Sequence, residues 1–439
     1  MLTDVNPIVD NSDGGDPRNQ KIFLDKEKFW GSSNSVAPIV MSNEAFHGLT
    51  GIISYISPDT EADPAALLIS FLVVFGNIIG RNCFYEVDAT KHFPNLFTVL
   101  VGDSSRARKG TSWGIIKKIF SEINSDWSNN SIKSGLSSGE GLKYNVRDPV
   151  KMINEKGKEF ISDKGIKDKR LLIFEGEFAS ALKVANRPGN TLSTTIRDAW
   201  DYGNLSTLTK HDAIKATGAH ISILAHITKF ELLKNFSDTD AVNGYANRFL
   251  WVAVKRSKLL PQGGNIRFGD LPYDEIKEAI EFGQVKRQIG FNDEAKMLWC
   301  NIYNELSIER YGIFDALSSR GEAQIIRMAL IYAILDCSTL ISIKHLKAAY
   351  AVWQYCEESV QFIFGERFKD NIADIIFQKI TKQKRISATE VYHLFKNNKT
   401  KNEIEIAISE LLRSEKIKTY RQETSGRPIT YYEINERSQ

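Results

Sequence analysis

The stretch from Leu96 to Ser112 decides the fold, and it reads LFTVLVGDSSRARKGTS. An apolar, β-branched run ends at Gly102, a short polar and basic loop follows, and a helix-like segment begins near the lysine. Strand, loop and helix in this order are typical of a phosphate-binding loop, in which backbone N–H groups and a helix N-terminus hold phosphates. A lysine then reaches the terminal phosphate oxygens, and a hydroxyl holds Mg²⁺. We predict that this segment binds ATP and Mg²⁺ through Gly102, Arg108, Lys109, Gly110, Thr111 and Ser112.

The match to the usual loop is imperfect. The common pattern is Gly, four residues, Gly-Lys and then Ser or Thr. Here the lysine lies seven residues after Gly102, and glycine follows the lysine instead of preceding it. The alternative is a basic surface loop that opens a helix, so the rest of the chain has to support the interpretation.

Composition sets limits on the class of protein. The chain has 439 residues, is 42% hydrophobic and 25% charged, and carries a net charge of +3, as expected for two or three globular domains. Residues 369–439 hold 14 Lys and Arg against 10 Asp and Glu, so the positive excess lies at the C-terminal end. The four cysteines form no CxxC pair, and no signal peptide is evident, so we expect a cytoplasmic protein. The 17 uncharged residues 64–80 predict a buried core helix and no membrane span.

The order of strand-like and helix-like runs predicts an α/β fold. We expect a parallel sheet flanked by helices, with strands at 83–87, 96–101, 171–174, 220–225 and 249–254. The predicted segments are a flexible N-terminal arm (1–40), a helical segment (41–95), the core (96–256), a connector (257–290), a helical lid (291–366) and a C-terminal domain (369–439).

An acidic strand follows the predicted phosphate loop. Residues 171–178 read LLIFEGEF, so four apolar residues lead to Glu175 and Glu177. On an extended strand, residues two apart share a face, and both carboxylates would then take part in Mg²⁺ binding and water activation. We predict Glu175 as a metal ligand together with Thr111. The alternative is a strand end with solvated acids.

Two further segments complete the predicted catalytic set. The strand before His226 and Thr228 is typical of a sensor strand, whose tip contacts the γ-phosphate or the attacking water. Arg248 stands just ahead of another buried strand and is predicted to stabilise transition-state charge on a neighbour's ATP. A structural histidine and a surface ion pair are the alternatives for His226 and Arg248.

Basic residues in two places predict DNA binding. Residues 198–217 have hairpin-like alternation, and Lys210, His211 and Lys215 are expected to hold single-stranded DNA by its phosphates in a central channel. Three helices and a basic hairpin in 369–439 indicate a winged helix-turn-helix that binds duplex DNA. Its expected contacts are Lys399, Lys401, Arg421 and Arg427. A solvated hairpin and a protein-binding module remain the alternatives.

Six ordered segments resemble a known family. They are RKGTS (108–112), SGLSSGEGL (134–142), FEGEFASALKVANRPGNTLSTTIRDAWD (174–201), ATGAHISILAHIT (216–228), NGYANRFLW (243–251) and SRGEAQIIRMALIYAILD (319–336). Together they resemble the uncharacterised ATPase domain of bacterial mobile elements, often found as the helicase-like half behind a primase-polymerase domain. The same order is similar, more distantly, to the AAA+ motor of minichromosome-maintenance helicases.

The resemblance implies roles and an assembly. It implies an AAA+ core in which Lys109 binds phosphate, Arg248 is an arginine finger, and Arg320 in the lid senses the γ-phosphate. It also implies a homo-oligomeric ring, expected to be a hexamer, that acts with a separate primase or loader. The leading hypothesis is an ATP-driven DNA helicase or translocase in mobile-element replication. The alternatives are a nucleotide-switched initiator or regulator without unwinding, and the ATPase of an anti-phage system.

Overall fold

A five-stranded parallel sheet forms the centre of the protein in a computed structural model of the chain. The structure describes residues 39–103, 105–207, 214–236, 243–308, 312–369, 372–395, 399–413, 416–422 and 428–435. The predicted N-terminal arm therefore lies outside the described residues, apart from its last two positions.

Seventeen strands and sixteen α-helices are described within these ranges. The strands are β1 (Cys83–Val87), β2 (Thr90–His92), β3 (Phe97–Val101), β4 (Ile132–Lys133), β5 (Val150–Ile153), β6 (Glu159–Asp163), β7 (Arg170–Glu175), β8 (Leu205–Ser206), β9 (Lys215–Ala216), β10 (His220–Ile227), β11 (Phe249–Ala253), β12 (Arg287–Gln288), β13 (Gly290–Phe291), β14 (Leu340–Ile341), β15 (Arg385–Ser387), β16 (Ile417–Gln422) and β17 (Ile429–Ile434). The helices are α1 (Ile52–Ile56), α2 (Pro64–Ile79), α3 (Lys109–Ile123), α4 (Ser125–Asn130), α5 (Gly139–Tyr144), α6 (Phe178–Ala185), α7 (Leu192–Asp201), α8 (Lys229–Asn235), α9 (Tyr273–Gln284), α10 (Asp293–Leu306), α11 (Gly312–Ser318), α12 (Gly321–Leu335), α13 (Ile343–Lys369), α14 (Ile372–Gln383), α15 (Ala388–Leu394) and α16 (Lys401–Arg413).

The central sheet has the strand order β11-β3-β10-β7-β4, with every pair parallel. The strand β10 lies between β3 and β7, and its residue Ala225 is level with both Val99 and Glu175. The predicted parallel sheet flanked by helices is confirmed, but the strand predicted at 83–87 (β1) lies in a separate sheet with β2 and β12. The register of the central sheet brings the loop after β3, which is the predicted phosphate loop, the tip of β10 and the acidic end of β7 to one edge.

The uncharged run 64–80 forms α2, which is buried along nearly its whole length. Asp63 caps its N-terminus by accepting from the Ala65 N–H (2.9 Å), and Pro64 occupies the first turn, where no N–H is needed. Within the described part of the chain, no helix combines the length and the apolar character needed to cross a bilayer.

The helices of 291–366 pack against the core, and their helical character is as predicted. The helix α12 is buried on all sides and shares a hydrophobic cluster with α2 and α3. The Tyr355 hydroxyl in α13 donates to the Ala253 carbonyl of edge strand β11 (2.7 Å). A helix that is apolar on all sides needs neighbours on every side, as α12 has here. This packing does not confirm the predicted lid.

The described residues between 372 and 435 have a hydrophobic cluster of their own. Three helices, α14, α15 and α16, accompany the antiparallel sheet β15-β17-β16. Ser387 and Glu390 form a reciprocal capping box at the start of α15. The three predicted helices and the two predicted strands are present, and the sequence missed the short strand β15.

Candidate functional site

The loop after β3 is shaped by Gly102. Its N–H donates to the Ile227 carbonyl at the tip of β10 (3.2 Å), which joins the loop to the neighbouring strand. A Cβ on Gly102 would lie 2.4 Å from the Val254 carbonyl oxygen and 2.8 Å from the Ala107 Cβ, so only glycine fits. A 3-10 turn over Ser105–Ala107 accommodates the longer spacing between Gly102 and the lysine.

Arg108 stands where the common pattern has glycine. Its backbone is left-handed, with φ 53° and ψ 28°, a conformation that L-residues with a Cβ rarely adopt. Its Nε donates to Glu61 Oε2 (2.5 Å), and Glu61 Oε1 accepts from the Leu260 N–H (2.9 Å). The Leu260 N–H and the Arg108 guanidinium lower the pKa of the Glu61 carboxyl. Sequence reasoning missed Glu61, because it lies far from the loop along the chain.

Lys109 begins α3 and is folded back over the loop. Its Nζ donates to the Gly102 carbonyl (2.7 Å) and, more weakly, to the Asp103 carbonyl (3.3 Å). The residue is only 9% exposed, and burial lowers the pKa of its amine. The ammonium therefore bridges the two ends of the loop at the helix N-terminus.

The two hydroxyl residues of the predicted ATP-binding segment, Thr111 and Ser112, differ in environment. Ser112 is buried, and its Oγ donates to the Lys109 carbonyl (2.7 Å). Thr111 is exposed, and a Cβ built on the adjacent Gly110 would meet no atom within 4 Å. The surface above Gly110 and Thr111 is therefore open, so Thr111 is better placed than Ser112 to reach a ligand.

The two acids of the β7 segment are not equivalent. The strand β7 ends at Glu175, and Glu177 lies beyond it with φ −132° and ψ 74°. The expectation that one extended strand carries both acids on the same face is therefore wrong. Glu175 is buried and accepts at Oε1 from the N–H groups of Gly135 and Leu136 (2.6 Å each). Glu177 is exposed at the N-cap of α6, which leaves its carboxylate available to solvent.

His226 lies under the loop in an aromatic environment. Its ring meets the edge of Phe174 at a centroid distance of 5.1 Å, and Phe174 stacks on Trp113 of α3 at 4.4 Å. The residue is 3% exposed, and its Nε2 has no hydrogen-bond partner among the described residues. Burial and the nearby charge of Lys109 lower the pKa of the ring to about 3, so the ring is neutral.

The hydroxyl of Thr228 is already used to cap α8. It accepts from the Glu231 N–H (3.2 Å) and donates to Glu231 Oε2 (2.8 Å). Burial lowers the pKa of the Lys109 amine, and the charges of Asp103 and Glu231 partly oppose this lowering. Sequence reasoning missed Glu231, although Thr-x-x-Glu directly after a strand is a helix-capping signal.

Arg248 and Arg320 meet on one carboxylate, that of Asp201. Arg248 donates to Asp201 Oδ2 (2.5 Å) and to the Gly244 carbonyl, and Arg320 approaches Asp201 Oδ1 (3.2 Å). Arg248 immediately precedes Phe249, which is level with Phe97 at the start of β3. The pair thus lies at the amino edge of the sheet, and about 13 Å of strand separates that level from the loop, at roughly 3.3 Å per residue. Neither arginine is brought to Lys109 of its own chain.

The predicted DNA contacts are only partly described. Lys215 is exposed on β9, which pairs with β8, while Lys210 and His211 lie outside the described residues. Lys399 and Arg421 are exposed, and Arg427 lies outside the described residues. Lys401 pairs with Glu405 one turn along α16 (3.6 Å). The exposed Glu403 and Glu405 make this helix less favourable for DNA than the sequence suggested.

One other cluster has the residue types of a metal site. The ligand atoms of His47, Asp336 and His345 lie within 4.8 Å of one another. However, His345 Nδ1 accepts from the Ser342 N–H (3.0 Å), so its Nε2 carries the proton and donates to Asp336 Oδ2 (3.1 Å). A metal-bound histidine instead donates through its second ring nitrogen. The cluster therefore serves to join the His47 loop to the end of α12.

A search against protein-family models and a search of curated proteins both find no match to this chain. The functional assignment therefore rests on the geometry of the loop edge and on the motifs in the sequence.

Proposed function

We propose that the protein binds Mg-ATP at the carboxyl edge of β3 and hydrolyses it. The observation that carries this proposal is the position of Lys109, folded over a glycine-started loop at the N-terminus of the 15-residue helix α3. Ligands of open α/β sheets bind outside the carboxyl ends of the strands, and helix N-termini attract phosphate. The buried, unpartnered Nε2 of His226 beneath Lys109 adds a polar group that a phosphate-bound water or oxygen would satisfy.

The residues divide the work as follows. Lys109 exchanges its loop carbonyls for β- and γ-phosphate oxygens, and Thr111 supplies the hydroxyl for Mg²⁺. Glu177, with its carboxylate exposed, orients the attacking water and accepts its proton. Glu175 holds the 135–136 turn through two short hydrogen bonds and thereby fixes the acidic end of β7. Bound Mg²⁺ would neutralise charge on the phosphates during transfer.

The position of the arginine pair supports an oligomer. Arg248 lies at the opposite edge of the sheet from its own loop, so it can assist hydrolysis only at the loop of another copy. We therefore propose a homo-oligomeric AAA+ ATPase, built as a hexameric ring, that moves along or melts DNA during mobile-element replication. The helix and strand order of 372–435 supports a winged helix as its duplex anchor.

A second function is a nucleotide-switched DNA-binding protein that does not unwind. Two observations favour it: Glu175 is already occupied by backbone N–H groups, and Arg248 is held inside its own chain. Both would slow hydrolysis without preventing ATP binding. A forked-duplex assay separates the two functions, because any ATP-dependent strand separation excludes the switch alone.

The test of the ATPase is DNA-stimulated ATP hydrolysis by the full chain. We expect Lys109→Ala to lower the rate at least about 100-fold, as removal of one preorganised charge donor does elsewhere. Lys117→Ala removes the same charge from an exposed position of the same helix and should leave the rate unchanged. Mixing the Lys109→Ala and Arg248→Ala proteins should restore part of the rate if the arginine acts between copies. Absence of hydrolysis by the wild-type protein with single- and double-stranded DNA would refute the ATPase.

A further inference from the structure

Asp201 is the single carboxylate described beside the three guanidinium groups that surround Trp200. Arg248 and Arg320 bind its two oxygens, and Arg327 stacks on the Trp200 ring at 3.7 Å from its centroid. Arg320 also lies over this ring at 5.1 Å. Arg327 donates only to neutral acceptors, the oxygens of Asn95 and the Trp200 carbonyl. The cluster therefore holds two more positive charges than negative ones.

Several polar atoms in this cluster lack hydrogen-bond partners among the described residues. They include the Nε atoms of Arg248 and Arg327, Trp200 Nε1 and Gln324 Oε1. Arg248 and Arg327 are buried, whereas the Arg320 side chain remains 33% exposed. A partly desolvated cluster with excess positive charge and unused donors is suited to bind an anion at its exposed side.

The position of Asp201 argues against a role in helix stability. Asp201 is the last residue of α7, where the helix dipole disfavours negative charge. Its carboxylate is tolerated there because the two arginines neutralise it. An anion that takes the Arg248 Nη2 and Arg320 Nη1 donors must therefore compete with Asp201.

We propose that Asp201 is a latch that holds Arg248 and Arg320 until a second copy of the chain presents the phosphates of its bound nucleotide. This inference rests on the proposed function, because it needs a nucleotide at the loop of the other copy. In the single chain the two guanidiniums bind Asp201. In the assembly they exchange Asp201 for phosphate oxygens, so Asp201 sets the protein concentration at which nucleotide-dependent assembly begins.

The test compares self-association of wild-type and Asp201→Asn protein by sedimentation velocity, with a non-hydrolysable ATP analogue, with inorganic phosphate and with neither. Asparagine keeps the shape of Asp201 but weakens its hold on the arginines, so assembly with the analogue should begin at about tenfold lower protein concentration. Asp198→Asn removes the same charge from an exposed position of α7 and should behave as wild type. Unchanged or weaker assembly of folded Asp201→Asn protein would overturn the latch.

Two further arms assign the source of the phosphate. Assembly at the lower protein concentration should disappear in the Lys109→Ala/Asp201→Asn protein, which lacks the loop lysine. It should also not occur when inorganic phosphate is the only anion added. Assembly at the lower protein concentration in either arm would overturn the proposal. Binding of a fluorescent nucleotide to dilute monomer is measured separately. If the monomer binds no nucleotide, the proposed function fails, whatever the outcome for the latch.

If Asp201→Asn does not fold, Arg320→Gln replaces it. The exposed Arg320 should be needed for capture, so this variant should assemble only at about tenfold higher protein concentration while monomers bind nucleotide normally. Wild-type assembly by Arg320→Gln would overturn the proposal equally.

Discussion

Substitutions at Arg108 separate the strain of the loop from its ion pair. Both Arg108→Gly and Arg108→Ala remove the contact with Glu61, but only glycine adopts φ 53° without steric cost. The left-handed conformation costs a residue with a Cβ about 1 kcal/mol. In the alanine variant the free loop can relax, and nucleotide binding must then restore the strained form. Since 1.4 kcal/mol corresponds to a tenfold change in affinity, we expect the Arg108→Ala protein to bind ATP about fivefold more weakly than the Arg108→Gly protein.

The assay is titration of each variant with a fluorescent ATP analogue in Mg²⁺ at low protein concentration. Arg106→Gly and Arg106→Ala form the matched control pair, because Arg106 lies in the same loop without a positive φ. At Arg106 the glycine variant should bind no more tightly than the alanine variant. Equal affinities of the Arg108→Gly and Arg108→Ala proteins would show that the left-handed turn is not needed for binding.

Substitution of Glu61 tests separately whether its contact with Arg108 supports ATP binding. Glu61→Gln weakens the hold on the Arg108 guanidinium and should reduce ATP affinity in the wild-type chain. In the Arg108→Gly chain the same change should have a smaller effect, because the Arg108 guanidinium is gone and the remaining ion pair of Glu61, with Arg256, is longer at 3.9 Å. A Glu61→Gln effect of the same size in both chains would mean that Glu61 acts by some route other than Arg108.

Three further predictions follow from contacts in the structure. Gly102→Ala should abolish ATP binding, because its Cβ would lie 2.4 Å from the Val254 oxygen. Gly114→Ala is the control and should bind ATP normally, because its Cβ would meet no atom within 4 Å. Calorimetric titration with ATP measures both. Burial lowers the pKa of His220 and His226 to about 3 and that of His92 to about 4, so these rings stay neutral when folded and gain protons on unfolding below pH 6.5. The free energy of unfolding should be constant above pH 6.5 and should fall from there towards pH 4, because about three protons are taken up on unfolding. A denaturant midpoint that does not change between pH 7 and pH 5 would contradict this prediction. Deletion of residues 369–439 should weaken duplex binding in a mobility-shift assay but leave basal ATP hydrolysis intact, because this region has its own hydrophobic cluster. If the truncated protein bound duplex DNA as tightly as the full chain, this region would be excluded as the DNA anchor.

Local sequence patterns were sufficient for most of the sheet. The runs at β3, β7, β10 and β11 are apolar and rich in β-branched residues, so their strand character follows from composition and length. The strand β4 has two residues and no pattern of its own, and only pairing with β7 defines it. The sequence could therefore predict the class of the fold but not the full width of the sheet.

Contacts between distant segments explain the errors at the site. The offset of Glu175 and Glu177 depends on where β7 ends, and the Glu175 side chain is held by N–H groups of Gly135 and Leu136, which lie far from it along the chain. The contact of Arg108 with Glu61 joins residues 47 positions apart. The lid expected for 291–366 stays a prediction, because apolar spacing predicts helices but not the partners against which they pack.

The same arrangement of charge recurs at the two edges of the sheet. At the loop edge, Glu61 holds Arg108 at 2.5 Å and has Arg256 at 3.9 Å, and at the amino edge Asp201 holds Arg248 and Arg320. In each case one carboxylate balances two guanidiniums that a phosphate group would also bind. The two levels are separated by the length of β3, so one phosphate group cannot contact both within a single chain. If ATP is held at the loop edge, the cations of the amino edge are useful to hydrolysis only when a second copy brings its own loop to them.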